Sequence, residues 1–287
     1  MHEHQLPPDN HVHTQFSWDA THGSMLDSCA RACELGLPSI AFTEHVDAAR
    51  WIVPAEADVP FPPFLTRIVD GVFDPPELDV DGYFEAVDDC QARFPDLRIV
   101  PGLEIGEPHW FPDATRRLLA AGPFIRVLGS LHSVGTASAP RLIDEWYFTE
   151  EITDAAEDAA VESYLAEAIR LIETCDHFEV FAHIDYLTRQ ITRAGREHDP
   201  RRFEDAYRET LTSLARSGRV LEINTRLPLD PIILRWWYEV GGAAVSFGSD
   251  AHEGPKVGAG FAAAAAAAES VGFRPQHDPH DFWRRTG

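Results

Sequence analysis

Positive charge is scarce in this 287-residue sequence: 24 Lys and Arg stand against 47 Asp and Glu, for a formal charge of −23. That balance disfavours non-specific attraction to nucleic acid backbones and anionic membranes, so an anionic ligand must be drawn in by a few local cations. Lysine is almost missing, Lys256 standing alone. Cysteine is sparse, and Cys29, Cys33, Cys90 and Cys175 contain no Cys-x-x-Cys pair. This excludes a thiolate zinc site and argues for buried, reduced thiols over a disulfide framework. Apolar residues make up 44% of the chain, yet no uninterrupted apolar run reaches the roughly 18 residues of a membrane span. The opening Met-His-Glu-His-Gln has neither the basic region nor the apolar core of a secretory signal, so a cytoplasmic protein is expected.

What the chain does have is alternation. Strand-like runs lead into His11, cover Pro38–Thr43, Arg98–Val100, Ile125–Leu128, Phe178–Phe181, Val220–Ile223 and Ala243–Phe247, and alternate with helical patterns near 24–35, 80–94, 112–121, 161–174, 200–216 and 230–240. About seven βα units follow, which calls for a parallel sheet. The class expected is α/β, a distorted (βα)7 TIM-like barrel of one domain over residues 1–287, with residues 1–8 as a flexible tail. Residues 51–79 hold six prolines and read as a long loop after the second strand, too aperiodic for a core element. The alanine run from Ala262 reads as a terminal helix.

Ligand-type residues recur where strands end. His11-Val-His13 puts two imidazoles on one face of an extended segment, and Thr-Glu-His45, Gly-Leu-Glu104, Gly-Ser-Leu-His132, Ala-His183-Ile-Asp and Gly-Ser-Asp250-Ala-His252 repeat the placement. An open sheet would cluster them at one switch point, so their spread over nearly every strand end favours a closed barrel with the centre at the C-terminal ends of its strands. Together with Asp19 they make nine candidate ligands, a set of imidazoles and carboxylates that suits zinc, manganese or iron. Nine exceeds the needs of one ion, so two or three divalent ions are expected. Any one histidine of the fourteen, taken alone, reads as surface or satisfied core; the joint pattern does not. Glu44, Asp185, Glu222 and Asn224 read as hydrogen-bonding neighbours of the ligands, and His2 and His4 as part of the tail.

The ordered set of Asp-x-His11-x-His13-Thr, Thr-Glu-His45, Gly-x-Glu104, Gly-Ser-x-His132, His183-x-Asp and Gly-Ser-Asp250-Ala-His252 resembles the polymerase and histidinol phosphatase (PHP) family over residues 9 to 273. Gly-Leu-Glu104-Ile-Gly, Leu-Gly-Ser-Leu-His132-Ser-Val and Glu222-Ile-Asn-Thr are similar to its histidinol-phosphatase branch. The resemblance implies a trinuclear centre in which His11, His13, Glu104 and Asp250 hold one ion, Glu104, His132 and His183 a second, and Asp19, His45 and His252 a third, with Glu104 bridging.

The activity so implied is hydrolysis of a small phosphate monoester, with L-histidinol phosphate the leading candidate. Glu104, Asp250, His252 and Arg189 are the expected catalytic residues. Arg189, placed on the exit loop after His183, and Arg226, Lys256 and His22 are expected on the substrate side, where guanidinium groups fit a phosphate. Trp146-Tyr147-Phe148 and Trp110-Phe111 read as loop packing, with ring stacking on a substrate as the alternative. Other readings are the same centre acting on a different phosphate ester or nucleotide, and a catalytically silent metal-binding module. A barrel hydrolase of carbon–nitrogen bonds would carry a lysine among its ligands, and Lys256 lies beyond the last motif. Oligomeric state is not legible.

Overall fold

The computed structural model describes residues 6–52, 68–149 and 151–286, the side chains of Glu145, Phe148 and Thr149 aside. Its elements run β1 (Asp9–Val12), α1 (Met25–Leu35), β2 (Ser39–Asp47), β3 (Trp51–Ile52), β4 (Val72–Phe73), α2 (Val80–Arg93), β5 (Arg98–Gly106), α3 (Pro112–Leu119), β6 (Arg126–Ser130), β7 (Ser133–Thr136), β8 (Ala139–Leu142), α4 (Ile143–Thr149) and α5 (Asp154–Thr174). They continue with β9 (Val180–Phe181), α6 (Tyr186–Arg193), α7 (Glu204–Ser217), β10 (Val220–Asn224), α8 (Pro231–Glu239), β11 (Ala244–Gly248), α9 (Phe261–Val271), β12 (Phe273–Arg274) and β13 (Trp283–Arg285). No helix among the described residues is long and apolar enough to cross a membrane.

One nine-stranded sheet, in the order β1-β2-β5-β6-β9-β10-β11-β13-β12, carries the fold. The strands from β1 to β11 pair in parallel, while β13 pairs antiparallel with β11 and β12. β13 occupies only the lower half of the β11 edge, opposite Ala244 and Val245. Beyond the upper end of β11 the chain meets β1: Asp250 N donates to His11 O and His13 N to Ala251 O, both at 2.8 Å. The sheet therefore curls until its first and seventh parallel strands touch at their C-terminal ends, while β13 wedges them apart below. That contact sets His11 and His13 beside Asp250 and His252.

Period-two alternation sends Leu103 and Ile105 of β5 outward beneath the helices and turns Gly102, Glu104 and Gly106 inward. Both outward side chains are buried, and Ile99 on the same face of β5 joins a core with Phe42, Leu171, Leu214, Trp236, Trp237 and Phe247. The helices begin and end where local chemistry dictates. Ser24 accepts from Asp27 N ahead of α1, and Gly36, at φ 66°, ends it in the left-handed region that a side chain would disfavour.

Several expectations are corrected. Residues 51–79 are not loop throughout: β3 and β4 pair antiparallel, and Trp51 and Phe73, fully buried and stacked 5.8 Å apart, form a second small core with Ala49 and Leu142. Two-residue strands offer no periodicity to read; residues 53–67 lie outside the described residues. The stretch after His132 folds as the β7–β8 hairpin and α4. Helix α5 begins at Asp154, seven residues before the expected start, with Thr153 accepting from Ala156 N as its cap. The tail is shorter than residues 1–8, since Leu6 packs on the core and Pro7 and Pro8 are buried; residues 1–5 lie outside the described residues. All four cysteines are free, but Cys33 is exposed where a buried thiol was expected.

Candidate metal centre

Each of the nine candidate residues stands at or just past the C-terminal end of a parallel strand, apart from Asp19 in the turn region after β1. In the β2–β5 register His45 lies opposite Glu104, so the two side chains share the inner face. Glu104, 1% exposed, is the hub. Its Oε2 lies 3.1 Å from His11 Nε2, 3.4 Å from His13 Nε2 and 3.3 Å from His45 Nε2, and its Oε1 lies 3.3 Å from His132 Nε2 and 2.6 Å from His183 Nε2. Asp250 Oδ1 is 3.4 Å from His13 Nε2. Asp19 Oδ2 is 2.7 Å from His252 Nε2 and 3.6 Å from His45 Nε2. Among the described residues the structure thus gathers four groups that could hold an ion: His11, His13 and Asp250; Glu104, His132 and His183; His13, Asp19, His45 and His252; and, with a residue outside the nine, His45, Asp47 and His132.

The far sides of the rings fix what the near sides offer. His11 Nδ1 lies 2.6 Å from Glu222 Oε1 and His132 Nδ1 2.8 Å from Asp47 Oδ1, so each donates its proton outward. His13 Nδ1 lies 3.1 Å from Ser17 Oγ, whose own proton goes to Glu44 Oε2 at 2.5 Å, so His13 also donates outward. All three Nε2 lone pairs consequently face inward, where His11 and His13 Nε2 come within 3.0 Å of each other. Lone pairs opposed to one another and to carboxylate oxygens in a buried site repel unless positive charge stands between them. Asp19 Oδ1, His45 Nδ1 and His183 Nδ1 are buried without a hydrogen-bond partner, and the donor set of nitrogen and carboxylate oxygen is that of zinc, manganese or iron. The residues present therefore fit divalent ions.

Without an ion, protons supply that positive charge: against their burial, Glu222 and Glu104 raise His11, and Asp47 and Glu104 raise His132, well above the ordinary imidazole range. Burial opposes ionisation of Glu104, but His11, His45, His183 and His132 outweigh it and hold the carboxyl well below its ordinary range. Burial likewise opposes the charge on Asp250, and Arg226, His11, His13 and Arg189 overcome it. Among the rings, burial lowers His183 to about 4 despite Glu104, whereas Asp19 and Glu104 raise His45 to about 9 against its burial. Such divergence within one cluster marks a functional site more often than a structural network.

Two tight approaches make the arrangement possible. A Cβ on Gly106 would strike Asp47 Oδ1 and His132 Nδ1, and one on Gly248 would strike Glu222 Oε1 and His11 Cβ. Each glycine clears room for one carboxylate–imidazole pair. His183 and Asp250 themselves hold positive φ, 25° and 53°, a strained backbone for non-glycine residues and a feature of sites where geometry is imposed by the surroundings.

The expected substrate-side residues divide. Arg226, Lys256 and exposed His22 line a cavity of about 480 Å³ whose wall also includes Asp19, Asp250 and His252. Arg226 Nη1 lies 3.2 Å from Asp250 Oδ1 and 3.0 Å from His252 Nδ1. Arg189 does not line this cavity. It sits on α6, not on an exit loop, is 3% exposed, and donates Nη1 to Asp250 Oδ2 at 2.7 Å. Asp185 makes no hydrogen bond to His183; its Oδ1 is buried and unpartnered. Trp110 donates to Glu167 and Trp146 packs on the core.

Sequence reasoning passed over Asp47, Ser17 and Glu107. Asp47 had a usable signal, because it follows His45 by two on the same strand and shares its inner face. Glu107 accepts from the backbone N–H groups of His132 and Ser133, and burial raises its carboxyl to about 7. Neither it nor Ser17 stands in a pattern that the sequence displays.

Comparison with known proteins places this geometry among relatives. The PHP domain model matches residues 9–226. The chain is 26% identical over 252 residues to histidinol-phosphatase of Lactococcus lactis, spanning 85% of this chain and 83% of that one. It is 25% identical over 275 residues to the probable histidinol-phosphatase of Clostridium acetobutylicum, spanning 93% and 94%. The crystal structure of histidinol phosphate phosphatase from L. lactis, complexed with zinc, L-histidinol and phosphate, matches with a TM-score of 0.75 at 23% identity over 94% of this chain and 95% of that one.

Proposed function

This chain belongs to the PHP domain family, and from that premise we propose that it is a metal-dependent phosphomonoester hydrolase whose substrate is L-histidinol phosphate. The relatives named histidinol-phosphatase support the substrate. The observation that carries the chemistry is the inward set of lone pairs around Glu104 beneath a cavity lined by Arg226 and Lys256. We read the curled sheet as a distorted (βα)7 barrel, joined at its upper end through His11–Asp250 and His13–Ala251.

Two or three divalent ions, zinc being the one bound by the L. lactis relative, would be held by His11, His13, Glu104 and Asp250, by Glu104, His132 and His183, and by Asp19, His45 and His252. When bound, such ions act as Lewis acids toward a phosphate ester and lower the pKa of the attacking water. Glu222, Asp47 and Ser17 keep His11, His132 and His13 in the tautomer that offers Nε2. Arg226 and Lys256 supply the positive charge that a phosphate dianion needs in an otherwise acidic protein, and His22 stands at the cavity rim. Arg189 holds Asp250 in place through Nη1. His252, which belongs to the centre and also lines the cavity, is the group we assign to return a proton to the departing alkoxide, since Arg226 and Arg189 keep Asp250 ionised.

The test is phosphate release from L-histidinol phosphate against a panel of sugar phosphates and nucleotides, on protein whose metals have been counted. Preference for L-histidinol phosphate, lost in Glu104→Gln, is expected. Release from another panel member alone would keep the centre and move the substrate. No release from a metal-replete protein would favour a silent metal-binding module.

A further inference from the structure

A second cavity, of about 460 Å³, opens beside the first between α6, α8 and α9. Its wall is mostly apolar, with Ile223, Leu234 and the methyl groups of Ala263, Ala264 and Ala267. The alanine run that shaped α9 thus leaves the space: larger side chains on that face would fill it. Thr225 lines both cavities, and Asn224, which donates to Asp250 Oδ2 at 3.3 Å, separates this one from the metal centre.

Two buried polar atoms on its wall have no partner. Asp185, 4% exposed, keeps Oδ1 unpaired; although it precedes α6, its side chain caps no N–H group of that helix. His198 Nε2 is likewise unpaired, with its ring stacked on Phe203 at 5.6 Å. A buried carboxylate oxygen without a donor is costly and is ordinarily satisfied by something. The charged residues lining the cavity are Asp185 and Asp230, and it has no lysine or arginine.

We propose that this cavity is a binding site for a small organic cation with an apolar ring or chain, anchored by Asp185 and His198, and that it rejects phosphorylated molecules. A protonated amine or imidazolium supplies the donor that Asp185 lacks, its carbon body covers the alanine face, and a phosphate dianion would meet two carboxylates, the nearby Arg189 being buried behind the wall and engaged by Asp250. The site is distinct from the Arg226–Lys256 cavity in sign, and it stands whatever ester that cavity accepts. Through Asn224 and Thr225, its occupant touches the wall of the metal centre.

Isothermal titration of the metal-replete protein with histamine, in saturating inorganic phosphate, tests this. One histamine per chain is expected, with no binding of its anionic analogue imidazole-4-acetate. Asp185→Asn should weaken binding about tenfold to a hundredfold, the range for one charged hydrogen bond. Ala264→Leu, which fills the cavity from a half-buried helix position, should abolish it while phosphate release is unchanged. Absence of histamine binding, equal binding of both probes, or binding that survives Ala264→Leu would overturn the proposal. Because leucine favours helix, the last variant decides even if Asp185→Asn fails to fold.

Discussion

Glu104 has a floor and a rim. On the floor, His11, His13, His132 and His183 are at most 2% exposed, and the first three are each backed by an acceptor: Glu222, Ser17 with Glu44, and Asp47. On the rim, Asp19, His45 and His252 are 14%, 10% and 16% exposed; Asp19 Oδ1 has no hydrogen-bond partner, His45 Nδ1 has only Asp47 Oδ2 at 3.5 Å, and His252 Nδ1 rests on the backbone oxygen of Asp250 at 3.0 Å. Buried, firmly backed ligands lose little freedom on binding an ion and keep their tautomer, whereas more exposed and loosely held ones must be ordered when the ion arrives. The same nine residues should therefore bind ions unequally, the rim ion most weakly.

The sharpest way to break this contrast is at the shared hub. Glu104→Gln should cut phosphate release by on the order of a thousandfold or more and lower the ion count by elemental analysis, since it removes a charge from both sides at once. Removing the floor's backing comes next. Asp47→Asn and Glu222→Gln should each cost about tenfold to a hundredfold in metal affinity or activity, read by competition with a chelator; an unchanged affinity would refute the role given to these carboxylates. On the rim, Asp19→Ala should remove one ion per chain and leave the others, and a graded chelator titration of the parent should release that same ion first. If all ions leave together, the floor and rim are one unit. Smaller again, Arg226→Ala should raise KM for the phosphate ester by about tenfold, with Lys256→Ala weaker because Arg226 is tied to Asp250 and His252 while the exposed Lys256 charge is screened. Trp51→Ala, which removes no candidate ligand, should lower stability by about 3 kcal/mol in denaturant melts, the cost of emptying a buried aromatic site, with least effect on turnover per folded molecule.

How much of this was legible follows from periodicity. Strand ends bearing His or Glu are visible because period two needs only a few residues, so the parallel units and the residues now gathered around Glu104 could be read. Helix α6 was hidden because Thr188, Arg189 and Gln190 are buried polar residues, which erases the apolar stripe that announces a helix. Strands β12 and β13 are two and three residues long, and only the pairing of β13 with β11 and of β12 with β13 reveals them. Gly106 and Gly248 were read as motif spacing, yet their physical reason is clearance for an imidazole–carboxylate pair across the strand, a contact that no local pattern contains.

The stacked pair of Trp51 and Phe73 has a consequence for how this molecule can change over generations. Trp51 Nε1 also donates to Ser133 Oγ at 2.8 Å, next to His132, so the chain up to Ile52 and the chain from Val72 are pinned together at one clasp fastened beside the centre. Lengthening a segment whose ends are already pinned adds only about 0.6 kcal/mol per doubling. Changes of length between the two pinned strands are close to free on that count, so they can accumulate while the ligands are inherited untouched.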